Sequence, residues 1–264
     1  MRHLCWITGL LLLLAAPAAF AAPPAEQPKA PAETKAPDIA PEAAAPMSTM
    51  CNYLKSLQSF TFTAEVETDQ VYPNGQSVQV SRTASVAVKR PDKVYSHVVG
   101  DDRDRLFIYD GKTVTVADMD RGVYAVTDAP PTFDATIDML SEKYGLNAPL
   151  SDLLSADPCP AMLENVRTGD CVGAHQAAGK ACDHLAFSQK NVDWQLWVEK
   201  GKVPLPRKLV ITDKEIMGWP QYEATFTDWD VSPRLQPGLF TFKPVEGMRR
   251  IDFLPMMEDA NKTK

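Results

Sequence analysis

Positive charge is scarce in this sequence of 264 residues, in which 27 lysines and arginines face 34 aspartates and glutamates. The formal net charge is -7, and no run of basic residues occurs along the chain. Proteins that follow a phosphate backbone need a basic patch or stripe. The composition therefore excludes nucleic acid as an expected partner.

Long apolar runs are absent after residue 21, so we expect no transmembrane segment in the remainder of the chain. At the start, Arg2 and His3 precede an apolar run over residues 4–16, and small residues follow up to Ala21. This pattern is typical of a secretory signal peptide, residues 1–21, removed after Ala21. A lipid-anchored protein would need a cysteine just after the run, whereas Cys5 lies before it. We therefore expect export to the periplasm without a lipid anchor.

Large apolar side chains are also rare in residues 22–46, which consist almost entirely of Ala, Pro, Glu, Lys and Thr. Such a composition buries too little apolar surface to offset the entropy of ordering the backbone. We expect a disordered tether here. Residues 47–255 lack a second low-complexity break and are predicted to form one domain, and residues 256–264 a disordered tail.

Motifs of known enzymes are missing: there is no Gly-x-Ser-x-Gly elbow and no Cys-His motif of a thiol enzyme. Asp134, Asp138 and Glu142 share one face of a predicted helix and could act as acid and base. They fit the solvated face of an amphipathic helix equally well. The sequence favours a binding or carrier protein over an enzyme, and we expect no cofactor.

Cysteines are few, and four of the five lie beyond the predicted signal peptide. In an oxidising compartment these four, Cys51, Cys159, Cys171 and Cys182, allow three complete pairings. A bond between Cys159 and Cys171, or between Cys171 and Cys182, would close a short loop. Cys51 could then be free.

The same region offers an alternative use of its cysteines. Two sulfurs and two imidazoles, from Cys171, His175, Cys182 and His184, could surround a zinc ion tetrahedrally. Cys182 and His184 would point to one face of a strand because side chains alternate there. The Cys-x3-His and Cys-x-His spacings differ from those of zinc knuckles, and the compartment favours disulfides, so we expect no metal.

What the sequence contains in abundance is short stretches of alternating apolar and polar residues. Residues 60–67 alternate in this way, and Pro73-Asn74-Gly75 provides a turn into the next stretch, which predicts a hairpin. Helical spacing occurs in residues 47–57 and 132–144. Further strands are predicted over residues 77–88, 93–99, 106–109, 113–117, 123–126, 163–172, 182–188, 194–199, 208–212, 222–229 and 240–242.

Long crossover helices are absent from this pattern, which disfavours a parallel sheet. The predicted fold is mainly β (α+β): a strongly curved antiparallel sheet, or incomplete β-barrel, capped by a few helices. Such a sheet tends to leave an apolar cavity. The side chains that could line it, or merely fill a core, are Phe60, Phe62, Val66, Leu106, Ile108, Trp194, Leu196, Leu209 and Ile211.

Several short motifs together resemble a family of predicted periplasmic proteins known only as a domain of unknown function. The resemblance spans nearly all of residues 47–253. The motifs that carry it are Leu54-x-x-Leu57-x-x-Phe60, Arg90-Pro91, Tyr109-Asp110-Gly111-Lys112, Pro130-Pro131-Thr132-x-Asp134-Ala135, Pro149-Leu150-x-Asp152-Leu153-Leu154, Cys182-x-His184-Leu185-Ala186-Phe187, Asp193-Trp194-Gln195-Leu196-Trp197 and Pro204-Leu205-Pro206-Arg207-Lys208.

The fold of that family is similar to the outer-membrane lipoprotein carrier and its receptor. The resemblance implies a half-barrel with a hydrophobic cavity that accepts acyl chains or another apolar ligand. We therefore expect a lipid, an acyl chain or a lipidated protein as partner. A protein-interaction or sensing module of the envelope is the alternative, because a fold alone does not fix a function.

Overall fold

The computed structural model describes residues 36–146 and 148–256. The predicted signal peptide, most of the predicted tether and nearly all of the predicted tail lie outside these residues. The helices are α1 (Pro41–Ser56), α2 (Phe133–Tyr144), α3 (Ser151–Leu154) and α4 (Pro158–Leu163). The strands are β1 (Asp38–Ile39), β2 (Ser59–Val71), β3 (Ser77–Lys89), β4 (Lys93–Gly100), β5 (Arg103–Tyr109), β6 (Thr113–Asp118), β7 (Val123–Asp128), β8 (Thr168–Ala177), β9 (Lys180–Ser188), β10 (Val192–Glu199), β11 (Pro206–Asp213), β12 (Gln221–Asp230) and β13 (Arg249–Arg250).

Within the described residues, thirteen strands form one open sheet in the order β1-β8-β9-β10-β11-β12-β2-β3-β4-β5-β6-β7-β13. Two antiparallel meanders, β2–β7 and β8–β12, are joined where β12 pairs with β2. Only the short end strands β1 and β13, among those described, pair in parallel. The predicted mainly β, antiparallel fold is confirmed.

The sheet is curved around a single core. Phe187 and Trp194, on β9 and β10, belong to the same buried cluster as Val94 and Val114, on β4 and β6, although many strands separate them in the sheet. We call the face that carries this cluster the concave face and the opposite face the convex face. Because the helices between the two meanders pack on the concave face, this face forms the interior of the domain.

Aromatic side chains fill the concave face where the two meanders meet. Phe62 lies with its ring centroid 4.5 Å from that of Trp229 and 5.6 Å from that of Phe226. Trp229 reaches this position through an irregularity in β12, where the register with β2 shifts and Asp228 adopts a positive φ of 51°. A bulge of this kind re-aims the side chains that follow it.

Helix α1 begins six residues before the predicted boundary at Met47. Pro41 stands in its first turn, where a proline is tolerated, and Ala43 is fully buried together with Met47. Before the helix, β1 pairs with the start of β8. Residues 38–46 therefore belong to the folded domain, not to a disordered tether, because alanines that favour a helix also find a core to pack against.

Other predicted elements are confirmed or corrected by the structure. Helix α2 is confirmed: Thr132 accepts a capping hydrogen bond from the Ala135 amide, and Gly145 ends the helix with a φ of 64°. The predicted strand over 163–172 is wrong in its first half, since α4 ends at Leu163. The predicted strand over 240–242 is also wrong, because Pro237–Phe240 form a 3-10 turn. None of the described helices is long and apolar enough to cross a bilayer.

The disulfide differs from both expected pairs. Cys51 on α1 is bonded to Cys159 on α4, with 5.4 Å between their Cα atoms and a sequence separation of 108 positions. Cys171 and Cys182 are free thiols. The expectation that Cys51 is free is therefore wrong: packing of α1 against α4 brings together two cysteines that are distant in sequence.

A histidine pair occupies the convex face. The Nδ1 atoms of His175 and His184 lie 2.9 Å apart, and Nε2 of His184 lies 2.9 Å from Oε1 of Gln195. The His184 ring also stacks on Trp197, with 3.8 Å between the centroids. Burial lowers the pKa of His184, and the charges of the neighbouring His175 and Lys208 lower it further. The hydrogen bond with Gln195 raises this pKa but only partly offsets the lowering.

Replacing Cys51 with serine should lower the free energy of unfolding by about 2–5 kcal/mol, because the lost bond closes a long loop. Thermal and denaturant unfolding, with and without a reductant, measure this effect. Cys171→Ser is the matched control, since that thiol is free. A reductant that leaves the wild-type melting temperature unchanged would contradict the assignment, as would a non-reducing peptide map without the Cys51–Cys159 crosslink.

Stability should also fall as the pH drops below about 6.5, the ordinary pKa of histidine. His184 has a lowered pKa in the folded state, so the unfolded chain takes up this proton first, and the stability present at neutral pH is lost on acidification. Denaturant unfolding at pH values from about 7.5 to about 5.5 should give a flatter pH dependence for His184→Gln than for the wild type. Equal slopes for both proteins would refute this.

Candidate functional site

A cavity of about 290 Å³ lies between the concave face and helix α2. Its floor is formed by inward-facing side chains of β2 to β6, and most of its walls are aliphatic or aromatic. The floor residues are Val66, Ala84, Val86, Val94, Ser96, Val98, Phe107 and Val116, and Leu106 also borders the pocket although alternation in β5 turns its side chain towards the convex face. We call this space the apolar pocket.

The roof of the apolar pocket comes from α2 and the segment that follows it. Phe133, Ile137 and Leu140 lie on the inner face of α2, at the spacing of an amphipathic helix. Beyond Gly145 the roof continues with Leu146, Ala148, Pro149, Leu150, Ser151 and Leu154. Leu146 is 39% exposed, so the roof presents apolar surface to solvent as well as to the pocket.

Three arginines, Arg82, Arg103 and Arg105, line one end of the apolar pocket. Asp102 accepts hydrogen bonds from Nε and Nη2 of both Arg82 and Arg103, at 2.6 and 2.8 Å from Arg82 and at 3.1 and 2.7 Å from Arg103. These bonds hold the pKa of Asp102 far below its ordinary value. Arg105 lies 3.6 Å from Asp118. This end is therefore charged but largely paired within the protein.

Tyr222 lies between the apolar pocket and a second, more polar cavity of about 450 Å³. Burial raises the pKa of its phenol, so Tyr222 stays neutral. The two cavities also share Ala148, Pro149 and Ser151. The apolar pocket thus continues along the concave face towards β11, where Ile211 lines the second cavity.

The predicted cavity residues separate into three groups. Val66 and Leu106 line the apolar pocket, and Ile211 lines the second cavity. Ile108 is buried, but it alternates with Phe107 and Tyr109 and so faces the convex side. The others lie within the packed core and line neither cavity: Phe60, Phe62, Trp194, Leu196 and Leu209.

The four residues considered for zinc do not meet at one point. Cys171 pairs with Leu185 and packs against the core on the concave face, whereas His184 lies on the convex face. The register of β8 shifts between Cys171 and Gly173, and this irregularity separates the side chains. Across the described residues, no group of three or more His, Cys, Asp or Glu side chains is placed to hold a metal ion.

The carboxylates considered for catalysis lie outside the apolar pocket. Asp138 and Glu142 are exposed, and Asp134 accepts a hydrogen bond of 3.3 Å from the Ala156 amide. Near them, burial raises the pKa of Asp152, and the carboxylate of Glu164 raises it further. Asp134 and Asp138 line a polar cavity with Asp152, and Glu142 does not.

Sequence reasoning missed most of the residues that line the apolar pocket. The roof segment follows α2 and was recognised only as part of the motif Pro149-Leu150-x-Asp152-Leu153-Leu154. Arg103 and Arg105 were not singled out from the sequence as lining a cavity, and alternation in β5 places both on the concave face beside Phe107. That alternation was the available signal.

Solved structures similar to this chain include three bacterial proteins. An uncharacterized conserved protein from Thermus thermophilus has a TM-score of 0.49 and 9% identity, covering 79% of this chain and 98% of that one. The lipoprotein LppX of Mycobacterium tuberculosis has a TM-score of 0.45 and 12% identity, with 72% of this chain and 94% of that one covered. A LolA superfamily protein from Nitrosomonas europaea has a TM-score of 0.40 and 10% identity, with 76% of this chain and 97% of that one covered.

No protein with a curated description matches the sequence. A family model does match, over residues 43–254, and its description is "Predicted periplasmic protein (DUF2092)". The match includes nearly all of α1, all of β2–β12 and the whole apolar pocket. It confirms the expected family and the expected periplasmic location. The chain belongs to the DUF2092 family of predicted periplasmic proteins.

Proposed function

We propose that this protein is a non-enzymatic periplasmic carrier that binds an acyl chain, from a lipid or a lipidated protein, in the apolar pocket. The observation that supports the proposal is the lining of that pocket by Val66, Val86, Val98, Phe107 and other apolar side chains. A cavity of about 290 Å³ is near the lower end of ligand sites, which span about 300–1,000 Å³. The adjoining second cavity offers room for a longer chain.

The binding energy would come from removing hydrocarbon from water. Each buried CH2 group contributes about 0.8 kcal/mol, so a chain of several carbons is held without any directional contact. The floor strands are paired on both sides and provide a rigid surface. The roof is helix α2 followed by a segment whose regular structure is the single turn of α3, and this roof serves as the lid that lets a chain enter.

Protein isolated from the periplasm of its own host should carry a lipid or fatty acid. Native mass spectrometry should show a mass above that of the mature chain, and extraction with organic solvent should release the ligand. The delipidated protein should then melt at a lower temperature and regain its stability when lipid is added. A protein without co-purified lipid whose melting temperature is unaffected by added lipid would contradict the carrier proposal.

Filling the apolar pocket from its floor should abolish binding. In Ala84→Phe the new ring would occupy the pocket, and the protein should stay folded because the pocket supplies the volume. The parinaric acid methyl ester, a neutral fluorescent probe, measures the affinity. Ser85→Phe is the matched control: it is the next residue on β3 and is exposed on the opposite face. Equal affinities of both variants for the ester would place the ligand elsewhere.

A protein-interaction module is the second candidate function, and the turn between β11 and β12 favours it. Met217 is 81% exposed and Trp219 61% exposed at this turn, beside Ile216. Exposed large apolar side chains in one place are typical of contact surfaces. If this function holds, crosslinking in cells from position 217 would capture a specific envelope protein. The Ala84→Phe variant would then capture the same protein as efficiently as the wild type.

A further inference from the structure

The side chain of Arg90 has two donors without an acceptor in the part of the chain that the structure describes. Arg90 follows β3, and its Nη1 donates to the Leu154 carbonyl oxygen over 3.3 Å. Its guanidinium carbon lies 5.7 Å from the centroid of the Phe60 ring. Nε and Nη2 are buried and have no hydrogen-bond partner among the described residues. Buried polar groups without a partner are rare and costly, and each one calls for an explanation such as a missing ion or ligand.

Arg90 lines a cavity of about 150 Å³. Lys89 and Lys93 border the same cavity, as do Thr132 and Phe133, where helix α2 begins. The N-terminus of a helix carries a partial positive charge and free amide groups. The unpartnered guanidinium and this helix end therefore border one small space, and the two lysines stand at its edge.

Among the described residues, a single carboxylate lines this cavity. Asp134 borders it and accepts a hydrogen bond from the Ala156 amide. Nearby, Lys93 donates to the Asp110 carbonyl oxygen over 3.0 Å and lies 3.7 Å from Asp92. Burial lowers the pKa of Arg90, and Asp134 counteracts this effect. The lining has more positive than negative groups, so a further anion would be stabilised here.

The cavity adjoins the apolar pocket. Val94, Phe133 and Leu154 line both spaces, so a molecule with its chain in the apolar pocket could reach Arg90 with one end. The other charged end of the pocket is less suitable for binding an anion, because Asp102 already accepts hydrogen bonds from Arg82 and Arg103 there. Arg90 still has free donors for a ligand.

We propose that the Arg90 cavity binds the anionic head group, a carboxylate or a phosphate monoester, of the amphiphile whose chain occupies the apolar pocket. This inference rests on the proposed carrier function and narrows it to anionic ligands. The guanidinium would donate Nε–H and Nη2–H to two oxygens of the head group, a charge-assisted bidentate pair. The start of α2 would add to the attraction.

The test compares a fatty acid with its neutral ester. Parinaric acid and its methyl ester are titrated into the wild type, Arg90→Gln and the control Arg121→Gln, whose side chain is 75% exposed. The wild type should bind the acid about tenfold or more tightly than the ester, as expected for charge-assisted hydrogen bonds. Arg90→Gln should lose this preference and keep the affinity for the ester. The unchanged ester affinity shows that the variant is folded.

The other outcomes separate the two proposals. Failure of both probes to bind the wild type would overturn the carrier function, and the head-group site with it. Equal affinity for acid and ester would leave the carrier function standing and overturn the head-group site. If Arg90→Gln lost affinity for the acid and for the ester to the same extent, Arg90 would have a structural role and the head-group site would be overturned. A third arm adds inorganic phosphate to the wild type and to Arg90→Gln and measures the melting temperature of each. If phosphate stabilised only the wild type, while the wild type bound acid and ester with equal affinity, the site would bind a free anion and the head-group assignment would be overturned.

Discussion

Burial of the concave face is the constraint on which the rest of the structure depends. Over β8 to β10 this face is covered by α1, whose Met47, Met50 and Leu54 are fully buried, and the Cys51–Cys159 bond ties α1 to α4. Over β2 to β6 the cover is α2 and the segment after it, and here the apolar pocket remains open. The pocket exists because two parts of one continuous face are covered to different extents.

The strands were predictable from sequence because their signal is local. Alternation with a period of two reports which side chains face the same way, and the capping residues Thr132 and Gly145 mark both ends of α2. The start of α1 was not predictable in this way. The composition of residues 38–46 indicates disorder, and what orders them is tertiary: Ala43 is buried in the core and β1 adds to β8.

The candidate site was harder to predict, because alternation tells which face a side chain takes and not whether that face is filled. Phe60 and Val66 lie on the same face of β2, yet Phe60 is packed among aromatic rings and Val66 lines the pocket. A register shift in β8 likewise separates Cys171 from His184, and nothing in the spacing of the residues reveals it. Such features depend on which strands and helices meet, which is a property of the whole fold.

The two charged ends of the apolar pocket differ in a way that would orient a ligand. Burial of a hydrocarbon chain is non-directional, so the pocket alone would accept a chain in either sense. At one end Arg82 and Arg103 are satisfied by Asp102, and an anion arriving there would have to compete with a carboxylate already in place. At the other end the buried Nε and Nη2 of Arg90 have no partner among the described residues, so an arriving anion would meet donors that no described carboxylate occupies. Under the carrier proposal, the head group therefore lies towards Arg90 and the chain extends from there beneath α2.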